Sequence, residues 1–341
     1  CIRDRVNGVG NIGKTILGIL CDYKSKLNID EVYALKNTAI TDWNKEELNI
    51  LSDMGVILCS RENEDYLDLK DIIDLVDYIF DCNANGFGLK NKYWYENLTN
   101  LKGCSAQGSE KGFGMPFMSG INDEQINDKK FVQIVSCNTH ALSSIITTFM
   151  NNDLSNLIEG DFVIVRRSED IGNHERLVSS NVLSRHLKEE IGTHHAIDVK
   201  DLFLTKDEDL NIQSSDITTP SQLMHSVRFN LYLKNSISIN DIKKRIKDNE
   251  YISTSSKFDS NILFELGRRY SPYGRLFSHA IINDNNLLFD VHKRNVKGWA
   301  FIPQEGNTIL STIHAFLLQV SANNTTEVIN AIKKDLVKPT W

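Results

Sequence analysis

The chain has 341 residues, 41% hydrophobic and 24% charged, which suits two domains of ordinary globular composition and argues against a disordered or fibrous protein. Its 38 basic and 45 acidic side chains leave a formal charge of −7, so there is no global basic footprint for nucleic acid. No apolar run reaches the roughly 18–20 residues that cross a bilayer, and six scattered cysteines without a CxxC pair read as reduced, cytoplasmic thiols.

The sequence begins at Cys1, and Gly8 already lies in a glycine-rich turn, so residues 2–6 must supply the strand before it. Arg3, Asp4 and Arg5 are awkward in a buried strand, and a truncated or imperfect N-terminus is the expectation here. Ile12, Ile16, Leu17 and Leu20 recur at helical spacing and predict an amphipathic helix with no export signal. Strands are expected at 32–35, 56–58, 78–80 and 132–135, with helices at 71–76 and after Asn138. That alternation predicts a mostly parallel sheet covered on both faces. Beyond about residue 160 the texture changes. Strands at 162–165, 227–233 and 280–282 are separated by longer polar connections, a capped helix is expected at 238–247, and a long apolar-periodic helix at 306–321. The fold class read from this is α/β, a doubly wound parallel sheet followed by an α+β domain.

Two motifs overlap in Gly8-Val9-Gly10-Asn11-Ile12-Gly13-Lys14-Thr15. As GxGxxG it is a dinucleotide turn, whose glycines let backbone approach a pyrophosphate at a helix N-terminus. As GxxxxGK[ST] it is a triphosphate loop, with Lys14 on phosphate, Thr15 on magnesium and Asp81 holding the metal. A merely structural turn is the third reading. After the next strand, Leu35-Lys36-Asn37-Thr38 stands where an NAD site usually carries an acid, so Lys36 and Thr38 suit a 2′-phosphate and point to NADP or dual use.

Ser136-Cys137-Asn138-Thr139-His140 follows a predicted strand and opens a helix, where free N–H groups and the helix dipole favour a thiolate. The alternative is a buried structural cysteine. Arg166-Arg167, Thr193-His194-His195 and Pro220-Ser221-Gln222-Leu223-Met224-His225 offer a base, together with cations for a phosphorylated substrate. His186, His194 and His195 match no common zinc spacing, so no metal is expected.

These residues resemble the archaeal, type II phosphorylating glyceraldehyde-3-phosphate dehydrogenases over most of the chain. NGVGNIGK, GFGLKNK (86–92), QGSEK (107–111), IVSCNTH, VRR, GTHHAID and PSQLMH follow the family's segments in order. The resemblance retires the triphosphatase reading. It implies a Rossmann domain over 1–136, a catalytic domain over 137–303 and a C-terminal helix at 304–341 returning to the first domain. It further implies a cytoplasmic homotetramer using NADP or NAD, with glyceraldehyde 3-phosphate and inorganic phosphate as substrates and no nucleic acid or membrane partner. Carried over by position, Cys137 is the nucleophile and His225 the general base. Ser136, Asn138, Arg166, Arg167, His194 and His195 surround the substrate. Gly8, Gly10, Asn11, Ile12, Gly13, Lys36, Thr38 and Gly108 lie against the dinucleotide. Some positions depart from the pattern. Residues 139–144 lack the family's arginine after the nucleophile, Ser226-Val227-Arg228 replaces a second histidine, and the glutamine near the nicotinamide has no clean counterpart, leaving Lys293, Gln304 or Asn307. A semialdehyde dehydrogenase such as aspartate-semialdehyde dehydrogenase, or a non-catalytic nucleotide-binding regulator, are the alternative readings.

Overall fold

A computed structural model describes residues 2–61, 66–108, 110–168 and 178–341, and the chain divides into two compact units. The first comprises Cys1–Ser136 with Ile309–Ala331, and the second Cys137–Thr308 with Ile332–Trp341. Cys1 lies outside the described residues, as does Ser109 of the 107–111 motif.

In chain order the first unit runs β1 (Ile2–Asn7), α1 (Asn11–Asp22), β2 (Ile29–Lys36), α2 (Asp42–Asp53), β3 (Val56–Ser60), β4 (Leu67–Asp68), α3 (Leu69–Ile72), β5 (Tyr78–Asp81), α4 (Phe87–Tyr95), β6 (Gly103–Gln107), β7 (Met115–Phe117) and β8 (Phe131–Ile134). All neighbouring strands pair in parallel, in the order β4-β3-β2-β1-β5-β6-β8-β7. The order reverses between β1 and β5. In doubly wound sheets the crevice at such a switch point receives the ligand, and the glycine loop after β1 stands there. Side chains alternate along β5. Tyr78 and Phe80 pack on Phe316, while Ile79 packs with Tyr95 and Cys104 on the opposite face.

The strand expected from residues 2–6 forms, with its charged residues in it. β1 is central, and Asp4 and Arg5 are fully buried. Burial, reinforced by Asp77, raises the Asp4 carboxyl well above its usual range. The Arg5 guanidinium lies 4.9 Å from the Trp94 ring centroid and 5.9 Å from that of Tyr95, replacing part of its lost hydration with aromatic faces. Arg3, nearer the surface, pairs with Glu31 at 2.7 Å. The helix expected at 71–76 is also shorter than its pattern: α3 ends at Ile72 and a 3-10 turn covers Ile73–Leu75.

The second unit contains α5 (Cys137–Met150), β9 (Leu157–Arg167), β10 (Val182–Leu183), α6 (His194–Leu204), β11 (Ile212–Thr219), β12 (His225–Leu233), α7 (Ile239–Asp248), β13 (Ile252–Ser255), α8 (Ser260–Tyr270), β14 (Ala280–Asn283), β15 (Leu288–Phe289) and β16 (Asn295–Ile302). Its mixed sheet has the order β10-β11-β9-β12-β16-β14-β13, with β15 paired to β16. α5 is almost wholly buried, and Phe149 meets Phe229 of β12 edge to face at 5.2 Å. α7 starts where its pattern predicts, because Ser238 and Asp241 form a capping box.

Two helices, α9 (Ile309–Gln319) and α10 (Thr325–Leu336), complete the chain. α9 begins three residues later than its periodicity suggests. Glu305 adopts a left-handed φ of 64°, and a Cβ on Gly306 would stand 2.1 Å from the Leu276 carbonyl oxygen, so this stretch is a tight turn. α9 is tied into the first unit by Tyr78 Oη donating to Gln319 Oε1 at 2.6 Å and Gln107 Nε2 donating to Thr312 Oγ1 at 2.8 Å.

Candidate active site

In the first unit the glycine loop has the geometry of a dinucleotide turn. Gly8 holds φ +101°, and a Cβ there would meet the Cys82 backbone at 2.9 Å. A Cβ on Gly13 would fall 2.1 Å from the Gly8 carbonyl oxygen, so the helix packs on the turn only with glycine at this place. Gly10, the N-cap of α1, has open space on its Cβ side, and Asn11 and Ile12 start the helix partly exposed, with no acidic residue in the first turn. Such a turn leaves backbone N–H groups open to an anion. Gly108, at φ +71° after β6, likewise has open space beside it.

The side chains of the triphosphate reading are committed elsewhere. Thr15 Oγ1 donates to the Asn11 carbonyl at 3.0 Å, and Lys14 pairs with Glu47 at 3.0 Å. The buried Asp81 accepts from Asn83 through Oδ1, and through Oδ2 from Tyr95 Oη at 2.6 Å and Asn91 Nδ2 at 3.0 Å. Asn37 bridges Asn7 and Asn83, joining the ends of three strands beside the loop; the sequence reading did not single out this asparagine network. Lys36 ends β2 and donates to the exposed Thr38 hydroxyl. Desolvation lowers its pKa, opposed by Glu47 and aided by Lys14.

The second unit gathers the reactive groups. Cys137 is the first residue of α5, directly after Ser136, and its carbonyl accepts from Asn307 Nδ2 at 2.9 Å. That same nitrogen donates to the His279 carbonyl at 3.0 Å, so Asn307 braces the start of α5 against the segment entering β14. Asn307 is fully buried, and its Oδ1 has no hydrogen-bond partner among the described residues. No disulfide joins the five described cysteines. Desolvation raises Cys21 and Cys59, the latter to about 12, and pushes Cys82 and Cys104 well up, leaving those thiols poorly nucleophilic at neutral pH.

α6 presents its two histidines through a tight approach to β11. Gly192, at φ +87°, packs so closely that a Cβ would stand 2.0 Å from the Ser214 carbonyl oxygen. Ser214 Oγ then bonds Thr193 Oγ1 at 2.7 Å and accepts from Ala196 N at 3.0 Å, fixing the first turn of α6. His195 is buried, with Nε2 3.0 Å from Asp216 Oδ2 and Nδ1 3.3 Å from Asn138 Nδ2. The His194 ring lies against it, tilted by 44° with centroids 3.9 Å apart, and its pKa is lowered to about 4 by burial and by the neighbouring His195. Burial opposes ionisation of Asp216, but hydrogen bonds from His195 and Ser184 and the nearby Arg166 cation prevail, holding its pKa at about 2.

β9 and β12 bring the remaining groups to one end of the sheet. His225 opens β12, opposite Ile302, where β16 ends. Its Nδ1 accepts the backbone N–H of Arg167 at 2.9 Å, and the His225 backbone N–H donates to Gln304 Oε1 at 3.0 Å. Burial, then the cations Arg167 and Arg166, depress His225 well below the usual imidazole range, so it is neutral at pH 7. The two arginines differ in availability. Arg167 is buried, donating to the Leu223 carbonyl at 3.1 Å and to Glu305 at 2.9 Å, and Glu305 also pairs with Arg275 at 2.9 Å. Arg166 is a third exposed and 3.7 Å from Asp216, with an Nε that has no hydrogen-bond partner among the described residues.

The structure therefore gathers Asn138, Arg166, Arg167, His194, His195, His225, Gln304 and Asn307 in the unit that Cys137 opens. Gly8, Gly10, Asn11, Ile12, Gly13, Lys36, Thr38 and Gly108 lie in the first unit, and His186 is exposed and bonded to Ser215 at 3.0 Å. Sequence reading missed Asp216, Glu305 and Arg275. Hydrophobic alternation does not announce Asp216: the buried positions of 212–219 include Ser214, Asp216 and Thr218, a polar inner face that an ordinary core strand would not have. Donor atoms of His194, His195 and Asp216 lie within 4.8 Å of one another, close enough to hold a cation. The hydrogen bond joining two of them and the Arg166 cation beside the carboxylate instead suit proton handling and anion binding. No helix among the described residues is long and apolar enough to cross a membrane.

No family model matches the chain. It is similar to curated proteins named glyceraldehyde-3-phosphate dehydrogenase. That of Saccharolobus solfataricus is 26% identical, with 98% of this chain and all of the relative covered. That of Saccharolobus islandicus is 24% identical, over 97% and 98%. That of Methanobacterium formicicum is 25% identical, over 71% of each chain. With its parallel doubly wound sheet and its cysteine at a helix start, the chain is similar in sequence to archaeal proteins named glyceraldehyde-3-phosphate dehydrogenase at about 25% identity.

Proposed function

We propose that the chain oxidises D-glyceraldehyde 3-phosphate to 1,3-bisphosphoglycerate, reversibly, with inorganic phosphate and NAD or NADP. The observation that carries this reading is the second unit's constellation: Cys137 at a helix start, His195 on Asp216, His225 at a strand end, and Arg166 with an unused buried donor. When bound, a nicotinamide dinucleotide supplies the hydride acceptor, and Gly8, Gly10, Asn11, Ile12, Gly13 and Gly108 are the residues that would hold it, with Lys36 and Thr38 available to a 2′-phosphate.

Cys137 holds the substrate carbon, first as a hemithioacetal and then as a thioester that inorganic phosphate cleaves. Splitting the oxidation into two covalent steps is the advantage of the sulfur. Arg166, whose guanidinium is less committed than that of Arg167, receives the substrate phosphate with His194 nearby, while Ser136 and Asn138 flank the reacting sulfur. His225 and His195 are the proton-handling groups. A homotetramer and a cytoplasmic location accompany this reading.

The test is reduction of NAD and NADP by the purified protein with glyceraldehyde 3-phosphate, with and without phosphate, and with aspartate semialdehyde in parallel. Phosphate-dependent reduction with the triose phosphate supports the reading. Reduction only with the semialdehyde overturns it in favour of a semialdehyde dehydrogenase.

A further inference from the structure

In dinucleotide sheets the residue after the second strand faces the adenosine ribose, usually as an acid. Here that residue is Asn37, and its amide is turned inward. It donates to Asn7 Oδ1 at 3.0 Å and to Asn83 Oδ1 at 2.7 Å, so it serves the strand ends.

The charge at this end of β2 comes from three elements instead. Lys36 is the last residue of β2, Lys14 lies in the first turn of α1, and Glu47 lies midway along α2. α1 has no acidic residue in its first turn, and Lys14 finds its partner on α2, with Nζ 3.0 Å from Glu47 Oε2. Beyond desolvation, the groups acting on the Lys36 ammonium are Glu47, which favours its charge, and Lys14, which opposes it. One carboxylate therefore stands in the field of two ammonium groups, and the three together carry one net positive charge.

The pair is open to solvent: the Lys14 side chain is 33% exposed and that of Glu47 58%. An ion pair of this kind contributes little to stability and separates at little cost, so an incoming anion can take the cation. Lys14 is also the residue that the GxxxxGK[ST] pattern singles out and that a dinucleotide turn leaves without a task.

Building on the dinucleotide reading proposed above, we propose that Glu47 sets the choice between NADP and NAD: it holds Lys14 in an ion pair, and a 2′-phosphate binds by drawing Lys14 away from it, together with Lys36. A nucleotide with a free 2′-hydroxyl leaves the pair intact. A 2′-phosphate brings about −1.5 to −2 charges at neutral pH, so it gains two ammonium partners and meets the repulsion of one carboxylate. At ion-pair separations near a protein surface, one such carboxylate alters the binding of a dianion by roughly five- to twentyfold. Thr38, whose hydroxyl accepts from Lys36, adds a neutral contact beside the same strand end.

The test is direct binding, measured by titration calorimetry. Adenosine 5′-phosphate and adenosine 2′,5′-bisphosphate, which differ only in the 2′-phosphate, form one pair of ligands, and NAD and NADP the other. The readout is the ratio of dissociation constants within each pair. Glu47→Gln should shift both ratios about five- to twentyfold toward the 2′-phosphorylated ligand in ~20 mM salt, and added salt should shrink the shift. Glu46→Gln removes the same charge from an exposed neighbour on the same helix and should move the ratios less than about twofold. Adding Lys14→Ala to Glu47→Gln should cancel most of the gain, because the released ammonium is gone. Ratios unmoved by Glu47→Gln, or moved equally by Glu46→Gln, overturn the assignment and leave the dinucleotide reading standing. Failure of the wild type to bind any of the four nucleotides overturns that reading and the assignment together.

Discussion

Replacing Asn307 by alanine tests how Cys137 is held. One buried nitrogen donates to two carbonyls, those of Cys137 and His279, at 2.9 and 3.0 Å. Each hydrogen bond contributes about 0.5–1.5 kcal/mol net, and the emptied buried volume adds a comparable amount, so the loss should be about 2–4 kcal/mol. At about 2–4 °C per kcal/mol for a domain of this size, the melting temperature should fall by roughly 5–15 °C. The start of α5 also loses its anchor, so single-turnover reduction should slow even at saturating cofactor. Thermal unfolding followed by circular dichroism and a stopped-flow burst measure the two effects. An unchanged melting temperature, with the whole effect in the cofactor KM, would refute the brace and leave Asn307 as the nicotinamide contact expected from sequence.

Three further outcomes follow from the geometry. Gly13→Ala drives a Cβ to 2.1 Å from the Gly8 carbonyl, so NAD(P) affinity measured by fluorescence quenching should fall at least about tenfold, and unaltered binding would remove the loop from the cofactor site. Lys36→Ala should weaken NADP more than NAD in the same titration; equal losses would end its proposed 2′-phosphate role. Asp216 sits near 2 when folded, against 3.8 as the ordinary aspartate value, so its contribution of about 2 kcal/mol is present above pH 4 and is lost as the pH falls toward 2. Asp216→Asn should flatten that part of an acid-unfolding curve, and a slope as steep as the wild type would contradict the ionised pair.

The parts of the molecule that were legible in the sequence are those where local chemistry and tertiary role agree. The glycines of 8–13 are demanded by contacts at 2–3 Å, Cys137 ends a strand-to-helix junction, and Ser238 with Asp241 caps its helix by short-range rules. The parts that were not legible depend on distant partners. Asp4 and Arg5 read as a poor strand because nothing in residues 2–6 announces Trp94, Tyr95 or the burial that raises the Asp4 carboxyl. Asp216 escaped notice because its strand has a polar inner face, and Glu305 because its partners, Arg167 and Arg275, are far away in sequence. Arg166 and Arg167 were indistinguishable as neighbours, and only their surroundings separate an anion-ready guanidinium from a structural one.

The most direct measurement is the pre-steady-state burst of NAD(P) reduction with glyceraldehyde 3-phosphate in the absence of phosphate, comparing wild type with Cys137→Ser. About one reduced cofactor per active site is expected in the wild type, released into steady turnover by added phosphate, and no burst in the variant. A stoichiometric burst that survives in Cys137→Ser would contradict that expectation.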